Sequence, residues 1–190
     1  SDVAANERMR IDSSGRVLIG TTSASGSNLL QVNSDASING LTVGKGANGV
    51  AGNTALGVAA LPSITSGGTN TGVGYSAGYY VTTGTGNAYF GYSSGPNQAA
   101  STGSSNTALG AYALQANTTA SSNAAVGYQA GYNTISTSNN TYLGTYAGYN
   151  SRGTSNTYVG QSSGSQTGSA ASCTGSYNTG IGDTALQNLA

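Results

Sequence analysis

From residue 53 onward the chain repeats one short pattern of polar and apolar positions: Asn, then Thr or Ala, a variable residue, a large apolar residue and Gly. The large apolar residues are Leu56, Val73, Phe90, Leu109, Val126, Leu143, Val159 and Ile181. The glycines that follow them are Gly57, Gly74, Gly91, Gly110, Gly127, Gly144, Gly160 and Gly182. Three positions later comes Ala or Ser, from Ala60 to Ala185. The copies open at Asn53, Asn70, Asn87, Asn106, Asn123, Asn140, Asn156 and Asn178, so their starts lie 17, 17, 19, 17, 17, 16 and 22 residues apart. A short, nearly fixed period marks a stacked array.

About 17 residues hold two short strands and two turns, whereas helical repeats need roughly 33 to 47. Gly supplies 31 of 190 residues, and the Asn, Ser and Thr between copies favour turns over helix interiors. The pattern therefore predicts an all-β fold, a short-strand β-solenoid or β-roll. Strand alternation sets Thr54 and Leu56 on one face and Asn53, Ala55 and Gly57 on the other. Stacking in register then aligns the eight large apolar residues in one column, read as the core. The glycine after each is read as structural, so Gly127→Val should break a rung. One such column is thin. Much of the 36% hydrophobic content is Ala, burial returns roughly 25 cal/mol per Å², and ordering a residue costs on the order of 1.5 kcal/mol. A second face buried against identical chains would close the gap, with the small-residue slot allowing close approach.

Residues 1–45 are organised differently from the array at 46–190. Arg8 to Asp12 and Arg16 to Ile19 alternate around Ser13-Ser14-Gly15 and read as a β-hairpin, and the region 1–45 that contains it is a candidate cap for one end of the array. Leu29 to Val32 and Ile38 to Val43 are two further strand candidates. Charge divides at the same place: Asp2, Glu7, Arg8, Arg10, Asp12, Arg16, Asp35 and Lys45 come first, and only Arg152 and Asp183 follow.

The repeat run at Asn123 to Tyr132 and again at Asn140 to Tyr149 resembles repeat regions of bacteriophage tail fibres and, more distantly, the head repeats of trimeric autotransporter adhesins. The segment Glu7 to Ser23 is similar to one that precedes such repeats in phage fibres and tailspikes. This resemblance implies an intertwined or side-by-side homotrimer on a virion, joined to other tail-fibre or baseplate proteins and meeting a cell-surface glycan or protein receptor. A bacterial surface adhesin head is the alternative with the same physics. An ice-binding β-solenoid is another, since Thr columns on flat rungs order water, although Thr is not paired as Thr-x-Thr in successive copies. Family members often end in a self-cleaving chaperone domain; nothing after Asp183 resembles one, and the last copy stops inside a repeat, so the natural chain is expected to continue.

Composition narrows the chemistry. An array with one Arg and a whole-chain net charge of zero lacks the cations that nucleic acid requires, and no stretch reaches the roughly 20 apolar residues of a membrane span. The start Ser1-Asp2-Val3 lacks the basic, then apolar, run of a secretory signal. There is no His, which removes the commonest general base and metal ligand, and a glycosidase would need two carboxylates flanking a cleft. Glu7 and Asp12 could meet across the hairpin, but pairing with Arg8, Arg10 or Arg16 and a turn cap by Asp12 is the simpler reading. Cys173, the one cysteine, reads as a small loop residue, and Asp183 as solvent-facing. Val43-Gly44-Lys45-Gly46 lacks the spacing of a phosphate loop. No enzyme, cofactor or metal site is expected.

All 13 tyrosines lie between Tyr75 and Tyr177 and recur before the apolar column (Tyr89, Tyr142, Tyr158), after the Gly (Tyr75, Tyr92, Tyr128) and after the Ala-Gly pair (Tyr79, Tyr132, Tyr149). Rings covering a thin core explain them. The functional alternative places Tyr79, Tyr132 and Tyr149 on a shallow glycan-binding face. The Asn heading each copy reads as a turn-capping ladder.

Overall fold

The protein is seen here as a computed structural model that describes residues 8–24, 27, 29–166 and 174–187. Strands β1 (Met9–Ile11) and β2 (Val17–Ile19) form the expected antiparallel hairpin. Asp12 holds its turn, accepting from the amides of Ser14 (2.9 Å) and Arg16 (3.0 Å) and from Arg16 Nε at 2.6 Å. Strand β3 (Leu30–Val32) joins β2 in parallel. The expected strand at Ile38–Val43 is instead a second hairpin, β4 (Ala36–Ile38) and β5 (Leu41–Gly44). Asn39 (φ 50°) and Gly40 (φ 83°) form its turn, the Asn-Gly pair that a two-residue hairpin prefers.

Each copy then adds one strand: β6 (Thr54–Gly57), β7 (Thr71–Val73), β8 (Ala88–Phe90), β9 (Thr107–Leu109), β10 (Ala124–Val126), β11 (Thr141–Leu143), β12 (Thr157–Val159) and β13 (Thr179–Ile181). These run parallel in sequence order within a sheet that β5 and β4 extend at its first edge. The array is a β-solenoid of about eight turns. Each copy holds one strand rather than two; the remaining sides of each coil are joined to the next by single backbone bonds such as Leu61 N–H to Ala77 carbonyl (3.0 Å). The first coil is capped from below. There β5 pairs antiparallel with β6, Ala47 N–H donates to the Leu61 carbonyl (3.0 Å), and Asn48 Nδ2 donates to that of Ile64 (2.6 Å).

Register aligns Leu56, Val73, Phe90, Leu109, Val126, Leu143, Val159 and Ile181 as expected, but the column lies outside, not in the core. Leu109 is 49% exposed and Leu143 47%, whereas Ala108 and Tyr142 beside them are fully buried. The asparagine decides the face. Asn53 Nδ2 closes its own coil on the Gly67 carbonyl (2.9 Å) and its Oδ1 accepts the Asn70 amide of the next coil (2.8 Å). The same relay runs through Asn87, Asn106, Asn123, Asn140 and Asn156 to the amide of Asn178. An inward Asn at position one forces position three inward and positions two and four outward, because side chains alternate along a strand. The small-residue slot is likewise within the coil: Ala77, Ala113, Ala130 and Ala147 are buried in their own core, not against another chain.

Beside Ile64 and Val81, which are fully buried in coils one and two, two positions of each coil share one volume of the interior. Where the inward strand residue is Tyr89, Tyr142 or Tyr158, the residue four after the repeat glycine is Gly95, Gly148 or Gly164. Where it is Ala55, Ala108 or Gly180, that residue is Leu61, Leu114 or Leu186. These leucines hold φ of 49°, 53° and 55°, so the glycines are present for space. A methyl at Gly95 would lie 2.5 Å from Tyr89 Cδ1, and one at Gly148 would strike the Tyr142 ring. Coils two and five carry small residues at both positions, and neighbours fill them: a methyl at Gly131 would meet Tyr142 Cδ2 at 2.6 Å and Leu114 Cδ2 at 2.9 Å. At these two positions the core thus reads Leu, none, Tyr, then Leu, none, Tyr, a three-coil unit spanning 53–105 and repeated at 106–155.

The repeat glycines serve a different end. Gly127 sits at φ 134° and a methyl there would lie 2.5 Å from the Gly144 carbonyl oxygen, so strand and next coil meet only without a Cβ.

Candidate functional site

The proposed binding tyrosines do not form one site. Tyr79, in coil two, packs edge-on against Tyr80 (4.8 Å). Tyr132 and Tyr149, in coils five and six, stack at 5.1 Å with planes 11° apart. Pro96 and Gln115 occupy the equivalent positions between them, so the column is broken. Beside the stacked pair runs a short amide ladder: Asn133 Nδ2 donates to Asn150 Oδ1 (2.5 Å) and Asn150 Nδ2 to the Gln166 carbonyl (2.8 Å). Gln98 reaches over from coil three, its Nε2 at 3.4 Å from the Tyr132 hydroxyl. Much of each ring face is spent on its neighbour. What remains is two half-buried phenol edges flanked by amides, groups that suit a neutral polyhydroxyl ligand.

The pair is one end of a longer aromatic path. Tyr75 stacks on Tyr92 (5.4 Å), which meets Tyr112 (5.2 Å), then Tyr128 (6.0 Å), Tyr146 (5.5 Å) and Tyr149 (5.8 Å). Grouping tyrosines by repeat position missed this continuity, because Tyr112 and Tyr146 stand one residue after the column that holds Tyr75, Tyr92 and Tyr128. Hydrogen bonding with Tyr92 raises the Tyr112 phenol, and burial, then Tyr132, raises that of Tyr149. Both shifts keep Tyr112 and Tyr149 neutral at physiological pH. The third set, Tyr89, Tyr142 and Tyr158, is the core itself, fully or almost fully buried.

Charged groups are placed structurally. The backbone amide of Arg16, ahead of its side chain, holds the Asp12 carboxyl below its ordinary 3.8. Asp35 accepts from the amides of Lys45 and Gly46, both at 2.7 Å, so a carboxylate of this chain fills the loop that hinted at phosphate. An open groove of about 850 Å³ lies between β3 and the β4–β5 hairpin, lined by Leu30, Val32, Ile38, Val43 and Lys45. Among the described residues no three metal-ligating side chains converge. Glu7 and Cys173 lie outside the described residues. No family model, curated protein or solved structure matches this chain.

Proposed function

We propose that the array is a structural and host-recognition segment of a bacteriophage tail fibre: a homotrimer that projects from the virion, joins other fibre or baseplate proteins and contacts a cell-surface glycan or protein, without enzymatic activity. The observation that carries this reading is the eight-turn in-register β-solenoid, capped at its first coil and nearly free of charge. Its sidewalls offer repeated neutral hydroxyls, amides and phenols rather than a cleft with paired acid and base. Eight rungs at about 4.8 Å span roughly 34 Å, a stiff spacer in which each Asn locks one coil to the next. The resemblance of Asn123–Tyr132, Asn140–Tyr149 and Glu7–Ser23 to fibre sequences supplies the virion; a bacterial adhesin head would use the same rod on a cell.

Two measurements test this. Light scattering coupled to size exclusion should give about three times 18.5 kDa; a folded monomer overturns the trimeric fibre and favours the ice-binding alternative, which the outward Thr54, Thr71, Thr107, Thr141, Thr157 and Thr179 column would serve. Glycan arrays should then show binding that Tyr132→Ala and Tyr149→Ala reduce at least tenfold. Binding indifferent to both substitutions removes these tyrosines from the contact.

A further inference from the structure

Large apolar side chains stand in a straight column on the outside of an in-register sheet, where a folded chain has least reason to keep them. We propose that this column is the docking surface for another copy of this chain, packed parallel and rung for rung. The inference rests on the trimeric reading above and deepens it by locating the contact.

Exposure comes first. Leu56, Phe90, Leu109, Leu143 and Ile181 are exposed although residues one position away are buried. Seven rung intervals of about 4.8 Å and four extended residues of roughly 3.3 Å, from the Thr column to the Tyr75–Tyr92 stack, outline a strip near 440 Å². Its apolar row is flanked by Thr and Gly, and the whole strip matches the largest patch of an ordinary monomer, about 300–600 Å² and often functional. Pitch selects the occupant. A partner meeting every knob must repeat at the same spacing, which another copy does by construction and an unrelated globular surface does not. Charge offers no alternative: among the described residues of the coils only Arg152 and Asp183 are charged. Arg152 lies away from the strand, and Asp183 sits at the strip's edge on the last coil, free to remain in water. Parallel packing follows from continuity, since Val43 pairs with Leu56 and extends the column onto the cap, and only parallel copies align that extension.

The test compares Leu109→Lys/Leu143→Lys with Thr119→Lys on the polar side of the coil. The wild type and Thr119→Lys should show the same assembled mass, and the double variant the mass of one chain with an unchanged β-type circular dichroism spectrum. Should the lysines unfold the chain, Leu109→Thr/Leu143→Thr, which suits a strand, should raise the dissociation midpoint at least tenfold. A folded double variant that stays assembled overturns the docking surface and leaves the fibre reading standing; a monomeric wild type overturns both.

Discussion

Tyr89 and Tyr142 hold the same inward position in coils three and six, yet their hydroxyls have different fates. Thr134 Oγ1 donates to the Tyr142 hydroxyl at 3.2 Å. The Tyr89 hydroxyl is buried without a hydrogen-bond partner, the Asn106 side chain being near enough to influence its ionisation but outside bonding geometry. A buried hydroxyl with a partner stabilises, and one without it costs desolvation. Tyr142→Phe should therefore lower stability by about 1 kcal/mol and Tyr89→Phe raise it by about the same amount, read from denaturant midpoints. Equal losses in both would show that Tyr89 has found a partner. Nothing in the repeat pattern distinguishes the two tyrosines. The asparagine ladder, by contrast, is legible as a ladder, and its consequence needs the closed coil: a buried amide that satisfies two coils outweighs the burial of a leucine, so the residues of largest apolar area lie on the outer face, opposite to the expectation.

At the scale of the coil, strand position three and the residue four after the repeat glycine share one volume. Gly148→Leu alone should cost several kcal/mol through overpacking and leave the array largely unfolded, while Gly148→Leu with Tyr142→Ala, which copies the Ala108/Leu114 arrangement of coil four, should recover most of that loss. A double-mutant cycle checks it; no recovery would mean that coils do not interchange. The three-coil unit has a second consequence. Coil four opens with the same Asn-Thr-Ala-Leu-Gly as coil one, so a chain lacking 53–105 presents the β4–β5 cap with a matching first coil and should fold with a cooperative melt. Removing coil five alone, 123–139, brings Leu114 directly under Tyr142 and should broaden or abolish that melt. The β1–β2 hairpin was readable because its turn is flanked by clear alternation; β4 and β5 were merged because the apolar run continues across Asn39-Gly40.

For the whole molecule, stability should fail at high pH. Burial pushes the Tyr89 phenol above its ordinary 10.0. Because the folded value exceeds the unfolded one, its contribution is fully present below pH 10 and is lost as pH rises toward the folded value. Thermal melts should fall steeply above pH 10, and Tyr89→Phe should soften that fall; a variant with the same alkaline profile would assign the effect to other tyrosines. The period, the all-β character, the rung register and the relay of asparagines were determined by the sequence alone, since each is a local choice that recurs with every copy. Tertiary structure alone decided which face points inward, how Leu and Tyr divide the interior, and which tyrosines meet. Those depend on closing a coil of about 17 residues so that strand position three and the residue four after the repeat glycine point into one volume, a constraint that exists only once the chain has returned to stack on itself.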